Sequence, residues 1–184
     1  MTMNRLAASP SAYLQSAAHQ PIHWYPWSAD AFAAARTQDR PVLLDIGAVW
    51  CHWCHVMDGE SYENPELAQF LNDHFICIKV DRDERPDVDA RYQRAIQALT
   101  RQGGWPLTAF LTPAGEVFYG GTYFPPDGAH GRPGFRTVLE SCSTPIARGA
   151  GRSCRRRKRC GGWCPTISTR GRRASPRSRC SRPP

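Results

Sequence analysis

No stretch of the 184 residues approaches the ~20 consecutive apolar residues that a membrane-spanning helix requires. Met1 to Gln20 also lacks the apolar run of a secretory signal. These two absences predict a soluble, cytoplasmic protein with no membrane partner. Acid is missing from one region as well: residues 141–184 hold 13 Lys and Arg and no Asp or Glu, whereas residues 1–140 hold 11 Lys and Arg against 16 Asp and Glu. The formal charge of +8 therefore resides in the last quarter of the chain and says nothing about partners of the rest. Cysteine is sparse where the sequence patterns like a fold. Of eight cysteines only Cys51, Cys54 and Cys77 precede residue 141, which excludes a disulfide framework of the secreted type.

The length suits one compact domain and little more, because single cores usually occupy about 100–150 residues. Residues 1–140 are predicted to form that domain. From Ser141 apolar periodicity stops and Arg, Ser, Gly, Pro and Cys dominate. Such a composition buries too little apolar surface to offset chain entropy, so 141–184 is expected to be a disordered, Arg-rich tail. The abrupt change suggests a shift of reading frame in a GC-rich gene. A basic arm holding nucleic acid through phosphate contacts, without sequence specificity, is the rival account.

Within 1–140, Ser28 and Asp30 open an Ala-rich helix over 29–38. Val42–Ile46 is a short apolar run ending at Gly47, suited to a strand buried on both faces. Asn64, Pro65 and Glu66 supply a cap, an N1 proline and a first-turn acid for a helix to about His74. A strand over 75–80 follows, then a helix over 87–101 with Val88, Tyr92, Ala95 and Leu99 on one stripe. Leu107–Leu111 and Val117–Tyr119 read as strands joined by the turn Thr112–Gly115, and Phe135–Glu140 starts a last helix. Alternation of this kind predicts an α/β fold with a central sheet flanked by helices.

Trp50-Cys51-His52-Trp53-Cys54 places a Cys-x-x-Cys where a buried strand turns into a helix. Free N–H groups at a helix start favour an anion, so Cys51 is the candidate nucleophilic thiolate. Cys54, three residues on, shares its helical face and can resolve a mixed disulfide. A protonated His52 would stabilise the thiolate further, and Trp50 and Trp53 flank the pair as further candidates for redox tuning. Asp45 lies within the apolar strand, where an unpaired carboxylate is costly. It is either satisfied by a partner or acts as a general acid/base, exchanging a proton with Cys54 through water. Pro106 has no N–H to give a strand ladder, and a cis Trp105–Pro106 bond would set that edge against the sulfurs to position a substrate. Partners are expected to be protein thiols or disulfides together with an unidentified reductant, with no cofactor and no metal.

Three other readings use the same residues. Cys51-His-Trp-Cys-His55 matches the c-type haem attachment pattern, which would require export. Cys51, Cys54 and His55 could also begin a zinc site, although no second Cys-x-x-Cys or His pair lies in the fold to complete it. A noncatalytic binding module is the third. The run Asp81–Asp89 reads as a solvated loop with weak ion pairs, and the aromatic group Trp24, Tyr25 and Trp27 as an amino-terminal segment packed on the core.

Asp45, Trp50-Cys51-x-x-Cys54 and Pro106 together resemble the thioredoxin superfamily. More narrowly, Ser11-Ala-Tyr-Leu14, His23-Trp-Tyr-Pro-Trp27, Cys51-His-Trp-Cys-His-Val-Met57, Val80–Asp89, Gly103–Thr108 and Gly120–Pro125 resemble the amino-terminal domain of the spermatogenesis-associated thioredoxin-like family, over residues 9–140. The resemblance implies a thioredoxin-like fold with a mixed sheet, and redox chemistry without a named substrate. His23 stands where that family usually has an acid. The family's longer helical domain, similar to an (α/α)6 glycosidase toroid, has no counterpart in these residues.

Overall fold

A computed structural model of the chain describes residues 4–128 and 133–143. The expected tail lies outside the described residues from 144 onward, and with it the calls of disorder, frameshift and nucleic-acid binding.

A five-stranded mixed sheet forms the centre. Its strands are β1 (Tyr25–Pro26), β2 (Val42–Gly47), β3 (Ile76–Asp81), β4 (Leu107–Leu111) and β5 (Val117–Gly121), ordered β1-β3-β2-β4-β5. β3 pairs parallel with both β1 and β2, whereas β4 runs antiparallel to β2 and β5. The helices are α1 (Ala12–Ser16), α2 (Ala29–Gln38), α3 (His52–Met57), α4 (Pro65–His74), α5 (Pro86–Thr100) and α6 (Phe135–Cys142). A 3-10 turn (Leu6–Ala8) precedes α1, and a π turn (Asp58–Tyr62) continues α3.

Local chemistry explains the starts. The Ser28 hydroxyl accepts the Ala31 N–H, and Asn64 Oδ1 accepts from both Glu66 and Leu67 with Pro65 at N1. Each such cap is worth about 1 kcal/mol. Gly115, at φ 85°, closes the turn between β4 and β5 with its N–H on the Thr112 carbonyl.

The central strands are buried on both faces, so their apolar residues do not alternate with polar ones. One face carries Val42, Leu44, Ile46, Ile78, Val80 and Leu111 and is covered by α2 and α5 through Ala31, Ala35, Val88, Tyr92 and Ile96. The other carries Leu43, Cys77 and Phe110 and is covered by the amino-terminal segment, α3, α4 and α6. On this second face one polar row interrupts the apolar surface: Asp45 is in register with Lys79 on one side and Thr108 on the other.

From α2 onward the helices and strands with predicted bounds agree with the sequence reading to within a residue or two, α6 reaches Cys142, and the π turn Asp58–Tyr62 was not predicted. In α5 the buried residues are Val88, Asp89, Tyr92 and Ile96, while Ala95 and Leu99 are half-buried. The sequence did not predict the 3-10 turn, α1 or β1. Trp24 is fully buried on the α3 face, and Tyr25 and Trp27 pack on the other.

Candidate active site

β2 ends at Gly47, and four residues later the chain enters α3 with Cys51 as its N-cap. The Cys51 N–H is held by the Ala48 carbonyl, and Cys51 Sγ accepts the Cys54 N–H at 3.2 Å. The two sulfurs are joined as a disulfide, with Cα atoms 5.3 Å apart. Cys51 and Cys54 are only 6% and 2% exposed, whereas Trp50 and Trp53 are 56% and 54% exposed. The disulfide thus lies just beneath an aromatic rim. His52 is exposed, its ring edge-on to Trp53 at 5.7 Å. The His55 Nε2–H donates to the Val49 carbonyl at 2.7 Å. Among the described residues no group of three or more His, Cys, Asp or Glu converges in a way that could hold a metal ion.

Trp105 precedes β4, its peptide bond to the buried Pro106 is cis, and its ring meets Trp50 edge-on at 5.8 Å. Both indoles are fixed by the loop after β3 and the first turn of α5. Trp50 Nε1 donates to Asp83 and Trp105 Nε1 to Asp89, while the Arg82 guanidinium lies 4.4 Å from the Trp105 ring and 5.6 Å from that of Trp50. Asp81 anchors this loop by accepting the Ser11 hydroxyl at 2.6 Å and the Asp83 N–H at 2.9 Å. The reading of Asp81–Asp89 as solvated is therefore corrected for Asp81, Arg82 and Asp89, which are buried or half-buried, while Asp83 is exposed and still holds the Trp50 indole. The solvated reading holds for Arg85 and Asp87, an exposed pair in which the Arg85 hydrogen bond lowers the Asp87 carboxyl to about 2. Trp53, Gly103, Gly104, Trp105, Thr122 and Tyr123 line a groove of about 300 Å³ beside the disulfide helix.

Beneath the disulfide lies a buried charge cluster. Lys79 Nζ donates to Asp45 Oδ2 and to Asp58 Oδ1, each at 2.8 Å, and has no exposed surface. The Gln20 side chain donates to the same Asp58 oxygen and accepts from Trp24 Nε1. The Tyr13 and Tyr62 hydroxyls reach the two oxygens of Asp45 at 3.4 Å. Burial lowers the Lys79 ammonium, but Asp45 and Asp58 outweigh it and hold the group charged well above its ordinary range. One ammonium cannot neutralise two carboxylates. Burial, with the Asp58 charge adding to it, raises the Asp45 carboxyl against the opposing pull of Lys79.

All the candidate residues from the sequence lie around the Cys51–Cys54 disulfide except Asp45, which is set below it in the charge cluster. Asp45 is satisfied by Lys79 and two tyrosines. The sequence reading missed Lys79, although a lone charge in the apolar run 75–80 is the same signal that singled out Asp45. Tyr13, Gln20, Asp58 and Tyr62 carry no such signal, because only the fold brings them to Lys79.

A parallel pair extended by antiparallel strands, with a Cys-x-x-Cys disulfide where β2 enters a helix and a cis proline before β4, defines a thioredoxin-superfamily protein. Residues 3–159 match the model of the Thioredox_DsbH family, described as a protein of unknown function, DUF255, and the chain belongs to that family. It is 49% identical over 138 residues to mouse spermatogenesis-associated protein 20, covering 75% of this chain but 18% of that protein. Uncharacterized protein B0495.5 of Caenorhabditis elegans is 50% identical over 141 residues, 77% of this chain and 19% of its own. The chain thus spans less than a fifth of the length of these relatives. Among solved structures, a DsbH oxidoreductase is 20% identical with TM-score 0.47, over 65% of this chain and 81% of its own. A thioredoxin from Thermus thermophilus is 25% identical with TM-score 0.48, over 66% and 86%.

Proposed function

We propose that the domain is a thiol–disulfide oxidoreductase acting on protein thiols and disulfides. The observation that carries this reading is the Cys51–Cys54 disulfide capping α3 above the buried Asp45. In the reduced form the Cys51 thiolate attacks a substrate disulfide, forming a mixed disulfide and releasing one substrate thiolate. Cys54 then loses its proton and attacks Cys51 Sγ, and the second substrate sulfur departs with the electron pair of the broken bond. Asp45, with its raised affinity for a proton, accepts the one Cys54 gives up.

His52 and the indoles of Trp50 and Trp53 tune the pair at its exposed rim. The Trp105–Pro106 edge receives extended substrate backbone, and the adjacent groove takes a side chain. The cycle closes when a further thiol donor, as yet unidentified, reduces Cys51–Cys54 again in the cytoplasm. Catalysed reduction of a small disulfide-bonded protein in a dithiothreitol-driven assay tests the reading. Acceleration by the intact chain that disappears in Cys51→Ala supports it; equal rates with and without the chain refute it.

A further inference from the structure

Asp45 hydrogen-bonds to Lys79, Tyr13 and Tyr62, and neither sulfur is among its partners. Along β2 it stands two residues before Gly47, on the same face, so about 7 Å of strand separates it from the end of β2 beneath the disulfide. The gap is filled from the amino-terminal segment. A Cβ on Gly47 would overlap the Tyr13 hydroxyl and lie 2.7 Å from Cys54 Sγ, so both atoms occupy the hollow above this glycine. Tyr13 is fully buried, and its hydroxyl also reaches Asp45 Oδ2. Tyr62 contacts the other oxygen of Asp45 but packs against Trp24 and Phe135, and the three atoms nearest a Cβ on Gly47 are the Tyr13 hydroxyl, the Tyr13 ring carbon that bears it and Cys54 Sγ.

We propose that Tyr13 Oη relays the proton between Cys54 Sγ and Asp45. This rests on the oxidoreductase reading above and adds a residue to it. As Cys54 attacks Cys51 Sγ in the mixed disulfide, its S–H proton passes to Tyr13 Oη while the Tyr13 proton passes to Asp45 Oδ2. Tyr13 ends neutral, Asp45 ends protonated, and the electron pair of the broken bond leaves on the substrate sulfur. On reduction by an incoming thiolate the same two protons run back to the departing Cys54. The charged groups facing the Tyr13 ring and hydroxyl are Lys79 from β3, whose Nζ lies 4.9 Å from the ring centroid, Asp45 from β2 and Asp58 from the π turn. Burial raises the Tyr13 hydroxyl well above its ordinary value, so it passes a proton on without resting as phenolate.

The test follows the resolving step in the full-length chain. Reduced protein is mixed with oxidised glutathione and acid-quenched. The peptide carrying Cys51 and Cys54 is then quantified by mass spectrometry as dithiol, glutathione mixed disulfide and internal disulfide. With the relay intact, conversion of mixed to internal disulfide changes little with pH between the Asp45 range, below which the acceptor is already protonated, and the thiol range. Tyr13→Phe should slow this conversion by about tenfold at neutral pH, less than loss of a whole general base because water can enter the vacated space. Its rate should rise about tenfold per pH unit, as solvent must now ionise Cys54. Tyr13→Phe combined with Asp45→Asn should be no slower than Asp45→Asn alone, because both interrupt one path. A purely structural tyrosine would lower the unfolding midpoint without changing the pH slope. An unchanged slope, or additive losses in the double variant, overturns the relay. Absence of any internal disulfide in the unsubstituted chain overturns the oxidoreductase reading instead.

Discussion

Replacing Lys79 by Met keeps the length of the unbranched stem and removes the ammonium from a site with no solvent access. Two carboxylates, Asp45 and Asp58, then share a buried space with no cation hydrogen-bonded to either. Removing one partner from a buried ion pair typically costs about 3–5 kcal/mol, because the charge left behind has lost both water and partner. Here the loss falls on a cation serving two anions, so the upper part of that range applies at pH 7. The deficit should depend on pH in a definite direction. An aspartate whose folded pKa is raised binds its proton more tightly in the folded state than the unfolded value of about 3.9 allows. Stability from such a group is greatest below the unfolded pKa and falls as pH rises through the window up to the folded value. Without Lys79 that window widens upward, so the variant should lose stability progressively as pH rises from about the unfolded value of 3.9, with the smallest deficit at the acid end. Urea unfolding of both proteins at several pH values, with the disulfide intact, measures this. A deficit under about 1 kcal/mol at pH 7, or one independent of pH, would refute the argument that Lys79 is what makes two buried carboxylates tolerable.

Other outcomes follow from the same geometry. Cys54→Ser should leave Cys51 able to attack and unable to be released, so mixed disulfides with protein substrates accumulate and are visible on non-reducing gels as thiol-sensitive bands. His52→Ala should make the pair more reducing by about 10–20 mV, the equivalent of a surface charge acting on a thiolate at a helix start, measured against glutathione buffers. No change in either the potential or the Cys51 pKa would remove His52 from the tuning group. Gly47→Ala forces a methyl group against Cys54 Sγ and the Tyr13 hydroxyl and should destabilise the oxidised protein by about 1–3 kcal/mol in chemical unfolding.

Much of this fold could be read directly from the chain, for identifiable reasons. Ser28 and Asn64 act through atoms two or three residues away, and the buried strands declare themselves as short apolar runs between turn residues. The Cys51–Cys54 pair was legible because the two residues are neighbours on one helical turn. What escaped depends on long-range pairing. Tyr13 and Asp45 are 32 residues apart, Ser11 and Asp81 are 70 apart, and each contact exists only once the sheet has assembled. α1 has five residues and β1 two, too short for either periodicity to register. Lys79 was legible in principle, since a lone charge in a strand buried on both faces demands a partner as much as Asp45 does. The segment from the end of β3 into α5 was misjudged for a different reason. Its alternating charges look solvated, and nothing in their spacing reveals that Asp83 and Asp89 hold two indoles.

The central claim is that Cys51 and Cys54 form the working redox couple of this protein. A redox titration of the full-length chain in dithiothreitol and glutathione buffers, with alkylation and mass spectrometry to locate the reacting thiols, tests it most directly. The account predicts a reversible two-electron transition carried by Cys51 and Cys54, with buried Cys77 unalkylated in the folded protein because burial raises its thiol well above the ordinary range. Failure of Cys51 and Cys54 to oxidise together across the whole range of buffers would contradict it.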